Sequence, residues 1–286
     1  MEKYTSCKKA IEHCISNKYF AVAYLCNEEK TMNIHIHDCY EMYFSISGGK
    51  QFLIDNKFYD IDSGDLFVIN QFESHYLTKI DQMVHERIVV SIHPDFIKAL
   101  SSEQTDLATC FTKRSQGSAH RLHLTAEQQK RFQYYINKIT SVDNFGGDII
   151  EKACFMELLV MINNIYMETL NLGSNVSDYK YNQQVEQIIQ YINQNICEPI
   201  TIEYLAKHFY LSDSYICRIF KSATGTTINK YITARRISIA KSLLSSGTSV
   251  NEVYSQSGFN DYSNFLKAFT KAVGVSPKKY ALYSNS

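Results

Sequence analysis

The C-terminal third of this 286-residue chain contains an internal repeat, and this repeat limits the possible folds more than any other feature of the sequence. A shift of 49 residues superposes aromatic, glycine and basic positions of the two copies: Phe220 on Phe269, Gly225 on Gly274, Lys230 on Lys279 and Tyr231 on Tyr280. Nearer the start of each copy the shift becomes 48, so that Thr201 corresponds to Ser249. A one-residue difference in a turn between matched helices is typical of a duplicated helical unit. The sequence therefore predicts two similar helical units in tandem.

Helix boundary signals divide the first copy into two short helices. Thr201 is placed to cap a helix over TIEYLAKHF, and Ser212 is placed to cap a helix over DSYICRIFKSAT. The second helix ends at Gly225, a residue type that is favoured just after a helix C-terminus. Two short helices across a tight turn predict a helix-turn-helix unit, whose second helix can enter the major groove of DNA.

The second copy repeats this arrangement. SVNEVYSQSGF predicts its first helix, Gly258 marks the turn, and DYSNFLKAFTKAV predicts the second helix with Asp261 as its cap. The apolar residues of both second helices recur at helical spacing and are predicted to pack inward: Ile216, Ile219 and Phe220 in the first copy, and Phe265, Leu266 and Phe269 in the second.

The opposite faces of these two helices carry the candidate DNA contacts. Arg218 can bind guanine with two hydrogen bonds, and Asn264 can bind adenine in the same way. Lys221 and Lys271 are suited to phosphates, whereas Cys217 is a weak donor and is expected to read a base pair by apolar contact. The candidate set is Ser214, Cys217, Arg218, Lys221, Tyr262, Ser263, Asn264, Lys267 and Lys271. For any single residue the alternative is a solvated helix face, but two capped units in register favour a nucleic-acid interface.

The charge of the chain is unevenly distributed. The formal net charge is +0, yet residues 181–286 contain eleven basic and six acidic residues, a net charge of +5. Residues 1–180 therefore carry a net charge of −5. Such an asymmetry suggests a polyanion-binding C-terminal part joined to a domain with a different task.

Short strands are predicted from about residue 20 to 92. Apolar and polar residues alternate over Tyr40–Ser47, and turn residues such as Gly48-Gly49 and Asp55-Asn56 recur at intervals of roughly ten residues. This pattern predicts an antiparallel β-sandwich or barrel. From Thr125 the apolar spacing becomes helical over two long segments, which form either a dimer surface or a core against the barrel.

Residues 182–283 resemble the DNA-binding part of AraC/XylS-type transcription regulators. The resemblance rests on YLSDSYICRIFKSATGTTINKYITARRISIAKSLL and on SVNEVYSQSGFNDYSNFLKAFTKAVGVSPKKY. It implies that a long central helix, about Ile228–Ser245, joins the two units, and that their second helices lie in successive major grooves of double-stranded promoter DNA. One departure is Tyr254, which stands where a small residue is usual and where the first unit has Ala206. The second unit must therefore open slightly or turn this ring aside.

The resemblance also implies a small cupin-like β-barrel in the N-terminal half. HIHDCYEMYFSISG places His35, His37 and Glu41 in H-x-H-x-x-x-E spacing, and His75 ends a later stretch. Residues two apart on a strand face the same side, so these side chains can point into one cavity. Three histidines and a carboxylate suit a divalent transition metal such as manganese, iron or zinc.

The alternative is that the barrel has lost the metal and uses these residues to shape an effector pocket. Asn70-Gln71-Phe72 lacks the proline usual in the second cupin stretch, which favours this alternative and predicts no cofactor. The predicted pocket residues are Tyr24, His35, His37, Glu41, Tyr43 and His75. Aromatic walls with a few fixed polar groups suit a sugar ring, and analogy with the family makes a carbohydrate effector the expectation.

The predicted fold class is α+β and multidomain. It comprises a cupin-like antiparallel β-barrel with a helical dimerisation segment (1–170), a linker (171–181) and an all-α tandem helix-turn-helix domain (182–286). We expect a homodimeric, effector-responsive, sequence-specific DNA-binding regulator and no enzyme. The alternatives are a regulator that uses its N-terminal half only to dimerise, and a cupin metalloenzyme with an appended basic domain.

The expected compartment is the cytoplasm. Eight cysteines are scattered without a C-x-x-C pair, which fits reduced thiols better than a zinc ribbon or a disulfide framework. The sequence also lacks a signal-peptide pattern and any apolar run long enough to span a bilayer, so no membrane partner is expected.

Overall fold

A computed structural model describes residues 3–27, 35–49, 51–55, 57–79, 84–113, 120–141, 145–171 and 183–284. The predicted linker lies outside the described residues except for Asn171, which ends the last helix of the N-terminal half.

Two β-sheets form the centre of the N-terminal half. Their strands are β1 (Lys3–Tyr4), β2 (Phe20–Asn27), β3 (Tyr40–Ser47), β4 (Gln51–Ile54), β5 (Lys57–Asp60), β6 (Asp65–Ile69), β7 (His75–Lys79), β8 (His85–Ile92) and β9 (Arg121–His123). One sheet has the order β1-β2-β8-β3-β6-β9, and the other has the order β5-β4-β7. The β1–β2 pair is parallel, and the other strand pairs are antiparallel. The predicted antiparallel β domain is therefore confirmed.

The six-stranded sheet is buried on both faces. Successive residues of β3 point to opposite sides, so Met42 and Phe44 join one apolar cluster while Tyr43 joins another. The Tyr43 cluster also contains Phe52 and Leu77, which belong to the three-stranded sheet. The two sheets thus form a sandwich, and the outer face of the larger sheet is left for helices.

Within the described residues, five helices accompany these sheets. They are α1 (Cys7–Asn17), α2 (Pro94–Leu100), α3 (Thr109–Thr112), α4 (Ala126–Ser141) and α5 (Gly147–Asn171). The two long predicted segments correspond to α4 and α5, whereas α1 is not among the elements that the sequence predicts. Ala10 and Cys14 of α1 are fully buried in the apolar cluster between the sheets.

The packing of α4 and α5 shows what their apolar residues do. Phe132, Ile136, Phe155 and Leu158 are fully buried in the cluster that covers the outer face of the six-stranded sheet. This face of the helix pair is therefore core. Several large apolar side chains point away from that core and are exposed, among them Tyr134, Ile149, Val160 and Met167.

The C-terminal part consists of helices. They are α6 (Gln183–Gln194), α7 (Ile202–His208), α8 (Asp213–Thr224), α9 (Ile228–Ser245), α10 (Val250–Gln256), α11 (Tyr262–Val273) and α12 (Pro277–Ser284). The pairs α7–α8 and α10–α11 are the two predicted helix-turn-helix units, and α9 is the predicted central helix. The sequence repeat is therefore a structural repeat.

Local hydrogen bonds set the boundaries of these helices. The Thr201 hydroxyl accepts a hydrogen bond from the Tyr204 amide at 3.1 Å, and the Asp261 carboxylate accepts one from the Asn264 amide at 2.7 Å. Ser212 accepts one from the Tyr215 amide at 3.3 Å. Gly225 and Gly274 end α8 and α11 in the left-handed conformation, with φ of 71° and 84°.

The two units have different surroundings. The core of the first unit includes Phe220 and Tyr231 and is continuous with Leu53, Phe58 and Tyr76 from the outer face of the three-stranded sheet. The core of the second unit is a separate cluster around Phe265 and Phe269, which holds no described residue of the N-terminal half. The first unit is thus packed on the sandwich, whereas the second shares no described apolar cluster with it.

No helix within the described ranges is both long enough and apolar enough to cross a bilayer.

We expect Gly258→Ala to destabilise the C-terminal domain strongly. Gly258 has φ +86°, and a Cβ atom there would meet the Ile196 carbonyl oxygen at 2.5 Å and the Cys197 Cα at 2.8 Å. The clash is with backbone that cannot step aside, so the expected loss is at least about 3 kcal/mol, more than left-handed strain alone. Urea unfolding followed by circular dichroism measures it.

The matched control is Gly247→Ala. Gly247 has φ +88° but no described atom within 4 Å of its added Cβ, so only the conformational cost of about 1–2 kcal/mol is expected. Equal losses in the two variants would contradict the close approach at Gly258.

Candidate functional site

The outer face of α8 is polar and accessible. Ile216 and Phe220 are fully buried, whereas Ser214, Arg218 and Lys221 are exposed, as predicted for the side that would face DNA. Cys217 is only half-buried at the edge of this face. The Arg218 guanidinium lies 5.3 Å from the centroid of the Tyr215 ring, a cation–π contact that restricts its orientation.

The corresponding face of α11 is also accessible. Phe265 and Phe269 are fully buried on its inner side. All five residues that the sequence places on its outer side are exposed: Tyr262, Ser263, Asn264, Lys267 and Lys271. The structure therefore presents both sets of candidate residues at the surface, each on the second helix of its unit.

The Tyr254 ring is turned toward the start of α11. It is half-buried and meets the Tyr262 ring edge-on, with centroids 5.7 Å apart and planes at 83°. The bulky residue is thus accommodated by turning aside, one of the two outcomes expected from the sequence. In consequence one candidate base contact, Tyr262, is braced by a neighbouring ring.

Four residues of the N-terminal sandwich form a buried histidine cluster: His35, His37, Glu41 and His75. One nitrogen or carboxylate oxygen from each lies within 4.8 Å of the others. His37 Nε2 is 3.0 Å from Glu41 Oε2, and His75 Nε2 is 3.6 Å from Glu41 Oε1. The spacing argument therefore selected residues that do come together.

Strand alternation is not what brings them together. Glu41 lies on β3, but His37 precedes that strand, and His35 pairs with His75 through an isolated bridge with N···O distances of 3.3 and 3.2 Å. The cluster is assembled by the contact between the segment before β3 and the start of β7.

Backbone carbonyls fix the orientation of two rings in the histidine cluster. Nδ1 of His37 lies 2.9 Å from the Cys39 carbonyl oxygen, and Nδ1 of His75 lies 2.9 Å from the Glu73 carbonyl oxygen. A carbonyl oxygen only accepts hydrogen bonds, so both Nδ1 atoms carry a proton and both Nε2 atoms point at Glu41.

The ionisation of the histidine cluster is strongly perturbed. Burial favours a neutral Glu41, but the charges and hydrogen bond of His75, His37 and His35 lower its pKa to about 2. Burial, reinforced by His35, lowers the pKa of His75 to about 3. Burial opposes a charge on His37, yet its contacts with Cys39 and Glu41 raise its pKa well above the usual value.

The two tyrosines predicted for the pocket lie elsewhere. The Tyr24 hydroxyl points to the other side of the six-stranded sheet and donates to Asn137 Oδ1 of α4 at 3.2 Å. Tyr43 is buried between the sheets, where its hydroxyl is 2.7 Å from His85 Nε2. Tyr24 faces away because its register on β2 directs it outward, and Tyr43 belongs to the apolar core.

A cavity of about 500 Å³ adjoins the histidine cluster. Residues 35–37 form part of its wall, and α1 with the two residues before it, β2 and β8 supply the rest. Its polar lining includes Lys8, Glu12, Asn27 and Arg87. Sequence reasoning missed these residues because it did not predict α1, although the spacing of Ala10 and Cys14 behind Ser6 is the pattern of a short amphipathic helix.

Helix α9 contacts two turns and one loop of the sandwich through polar groups. Arg235 Nη1 is 2.5 Å from Asp55 Oδ1, and the Tyr231 hydroxyl donates to the Asp55 carbonyl oxygen at 2.7 Å. Further along the helix, the Ser238 hydroxyl donates to the Phe72 carbonyl oxygen. The Lys241 ammonium group pairs with the Asp38 carboxylate. We call this set of contacts the α9 interface.

Two residues of the α9 interface have unusual backbone conformations. Asp55 and Phe72 adopt left-handed φ values of 52° and 61°, which non-glycine residues rarely do. Burial also raises the pKa of Asp55, although Arg235 opposes that shift. Both turns are thus held in a costly state by contacts that include those with α9.

The α9 interface is directly connected to the histidine cluster. The Phe72 amide donates to the His37 carbonyl oxygen at 3.1 Å, and Gln71 Nε2 donates to the Asp38 carbonyl oxygen at 2.9 Å. Asp38 also follows His37 in the chain. A displacement of the segment before β3 would therefore move atoms that α9 contacts.

Family comparisons agree with both halves of this architecture. The AraC-like ligand binding domain matches residues 17–159, which is half of the chain, and the helix-turn-helix domain matches residues 205–282. The chain belongs to the AraC family of transcriptional regulators. As a member of that family it is a DNA-binding regulator with an AraC-like ligand-binding domain, which confirms the resemblance seen in the sequence.

Relatives within the AraC family are transcriptional regulators. The regulator YdeC of Bacillus subtilis is 27% identical over 252 residues, covering 86% of this chain and 85% of that protein. The Msm operon regulatory protein of Streptococcus mutans is 24% identical over 256 residues, covering 89% and 88%. The melibiose operon regulatory protein of Escherichia coli is 35% identical over 97 residues, covering 34% and 32%.

Solved structures of similar proteins superpose on this chain with low TM-scores. A variant of apo ToxT from Vibrio cholerae has a TM-score of 0.39 and 15% identity, covering 93% of this chain and 98% of that one. The DNA-binding domain of AdpA in complex with a target DNA has a TM-score of 0.33 and 26% identity, covering 35% and 90%.

We expect Arg235→Met to lower the free energy of unfolding by about 2 kcal/mol, because it leaves the Asp55 carboxylate largely buried without its cation. Urea unfolding measures the loss. Lys230→Met on the same helix is the control, since Lys230 is exposed and should change stability by less than about 0.5 kcal/mol. Additive effects of Arg235→Met and Asp55→Asn in a double-mutant cycle would contradict a direct interaction.

Proposed function

We propose that this AraC-family protein is an effector-controlled, homodimeric regulator that reads promoter DNA with α8 and α11. In this proposal residues 1–170 bind the effector and form the dimer, residues 171–181 link the domains, and residues 182–286 bind DNA. The observation that carries effector control is the α9 interface, because it joins the segment bearing the histidine cluster to the helix between the two DNA-reading units.

Exposure and chemistry support the assignment of the DNA contacts. Arg218 and Asn264 have the donor and acceptor patterns that read guanine and adenine, and both are exposed on second helices. Lys221 and Lys271 lie in the last turns of α8 and α11, where a cation can neutralise a phosphate. Ser214, Cys217, Tyr262, Ser263 and Lys267 complete the proposed surface.

The cavity beside the histidine cluster is the proposed effector site. Its size and its mixture of charged, amide and imidazole groups suit a small polyhydroxylated molecule. A carbohydrate is the proposed class, which the name of the melibiose operon relative supports. This proposal retains four of the predicted pocket residues: His35, His37, Glu41 and His75. It replaces the two tyrosines, Tyr24 and Tyr43, by the polar residues of the cavity wall: Lys8, Glu12, Asn27 and Arg87.

Effector control follows from the connection between this site and α9. A ligand that favours one position of residues 35–38 also favours one arrangement of the Asp38 and Phe72 contacts with α9. Because α9 joins the two DNA-reading units, that preference changes how they are presented to the operator.

The exposed apolar side chains of α4 and α5 support the dimer. Tyr134, Ile149, Val160 and Met167 lie on the side of the helix pair that faces away from the sheet. Apolar residues grouped on one exposed helical surface are typical of a protein interface, and a second copy of the chain is the proposed occupant.

A cytoplasmic, non-catalytic role completes the proposal. All eight cysteines are free, as expected for a reducing compartment. The relatives are transcriptional regulators, which favours regulation over the alternative of a metalloenzyme.

Substitutions on α8 and α11 test the DNA contacts. Arg218→Ala should cost roughly 1–3 kcal/mol of operator binding and relax the preference at one base pair, because it removes a base-reading side chain. Lys271→Ala should weaken binding to all sequences alike and flatten the salt dependence, because it removes a phosphate contact. Fluorescence anisotropy at several salt concentrations, with an operator selected from a random pool, measures both effects.

Ser222→Ala on α8 is the control for this experiment. Ser222 is exposed but outside the proposed contact set, so operator affinity should be unchanged. If Arg218→Ala and Lys271→Ala also bind with wild-type affinity, the outward faces of these helices are not the DNA-binding surface.

The α9 interface can be tested with Lys241→Gln. A panel of sugars that includes melibiose is first screened by thermal shift, since a bound effector raises the melting temperature. A sugar that binds should still raise the melting temperature of Lys241→Gln but should change its operator affinity much less than that of the wild type. A response equal to wild type would contradict transmission through Lys241, and a panel without any binder would contradict the carbohydrate class.

A further inference from the structure

In the histidine cluster, atoms that accept hydrogen bonds lie opposite one another, and three of the four side chains are buried. His37, Glu41 and His75 are buried, and the carbonyl partners of His37 and His75 leave both Nε2 atoms directed at the Glu41 carboxylate. An ionised carboxylate only accepts hydrogen bonds, as does an unprotonated Nε2. Such a group of lone pairs is unfavourable unless something positive lies between them.

One proton does not satisfy the cluster. A proton on His37 Nε2 serves its 3.0 Å contact with Glu41 Oε2. The His75 Nε2 atom still has no hydrogen-bond partner among the described residues, although Glu41 Oε1 lies only 3.6 Å away. His75 is completely buried, so bulk solvent does not reach this atom.

We propose that the histidine cluster binds a divalent transition-metal ion through one ring nitrogen each of His35, His37 and His75 and a carboxylate oxygen of Glu41. A cation accepts all four lone pairs at once and neutralises the buried carboxylate. Three imidazoles and one carboxylate suit zinc, iron, manganese, cobalt or nickel rather than calcium or magnesium, which prefer oxygen ligands. The central carboxylate also disfavours an anion as the occupant.

The dimensions of the cluster are close to those of such a site. Ligand atoms about 2.1 Å from a tetrahedral ion lie about 3.4 Å from one another. The four atoms already lie within 4.8 Å of one another, so each needs to move inward by less than about 1 Å.

The surroundings of the rings are those of metal-binding histidines. A ligating imidazole commonly donates its other N–H group to a carbonyl or carboxylate, which fixes the ring and increases the basicity of the ligating nitrogen. The carbonyl oxygens of Cys39 and Glu73 accept such bonds from His37 and His75 at 2.9 Å. Both rings are therefore oriented before an ion arrives.

The cavity gives this ion a second role, which rests on the proposed function. His35 and His37 line both the histidine cluster and the cavity of about 500 Å³. Ions such as manganese, iron and cobalt accept more than four ligands, so oxygen atoms of an effector in the cavity can complete the coordination. The proposed effector is therefore a molecule with two adjacent hydroxyl groups, or with a hydroxyl group next to a carboxylate.

Cobalt titration of the full-length chain tests the metal site. After treatment with a chelator, the wild type should bind one Co²⁺ per chain with a visible ligand-field absorption, and should retain it through gel filtration as measured by elemental analysis. Zinc should displace the absorption. Glu41→Gln and His75→Asn should each reduce the affinity for Co²⁺ at least tenfold, because each substitution removes one of the four ligands.

His13→Asn is the matched control, since His13 lies on α1 outside the histidine cluster, and its cobalt affinity should equal that of the wild type. Circular dichroism establishes that each variant is folded. If a buried substitution prevents folding, His35→Asn replaces it, because His35 is only partly buried. A wild type that retains no cobalt, or cluster variants that bind it as the wild type does, would overturn the proposal.

Operator binding with and without Co²⁺ separates this inference from the proposed function. If the chain retains cobalt but its operator affinity and effector response are unchanged, the metal site is supported and its regulatory role is contradicted. An effector that alters operator binding in a chain that retains no cobalt supports the proposed function and overturns the metal site.

Discussion

Burial of the six-stranded sheet on both faces sets the arrangement of every other part of the molecule. Because Met42 and Phe44 must be covered on one side, the helix pair α4–α5 packs there. Tyr43 and its neighbours must be covered on the other side, which places the three-stranded sheet opposite and closes the space in which Glu41 and His75 meet. The outer face of that smaller sheet in turn carries the first helix-turn-helix unit. The ligand-binding half and the DNA-binding half are therefore successive layers of one packing scheme.

The sequence is most informative where structure is decided locally. Caps at Thr201, Ser212 and Asp261 and glycines at helix ends depend on a few neighbouring residues, so the bounds of α8 could be predicted closely. The bounds of α9 followed from the family resemblance. Exposure of the candidate DNA contacts follows from the same helical period. Strand β3 was also predictable from alternation, and its neighbours from the spacing of turn residues, but α1 was not, because its short apolar stripe resembles many segments that stay irregular.

The candidate ligand site was predictable only in part, since it depends on register and on contacts between distant segments. The motif identified the four members of the histidine cluster, yet it did so on the assumption of one continuous strand, whereas His37 stands before β3 and the bridge from His35 to His75 makes the connection. Tyr24 was misplaced because nothing local tells which face of β2 is inward. The Asp55 and Phe72 contacts with α9 join positions far apart in the chain, and no single sequence records such pairs.

The two helix-turn-helix units are packed differently, because only the first shares a core with the described part of the sandwich. The position of the first unit is fixed by this core, since tilting the unit would separate apolar side chains of both halves. The second unit contacts the sandwich at Asp38, through Lys241 and Tyr280, and it packs on the first unit where Gly258 approaches Ile196 and Cys197. If the two units change their relative position, the first must break an apolar core shared with the sandwich, whereas the second has only polar contacts with the sandwich to exchange.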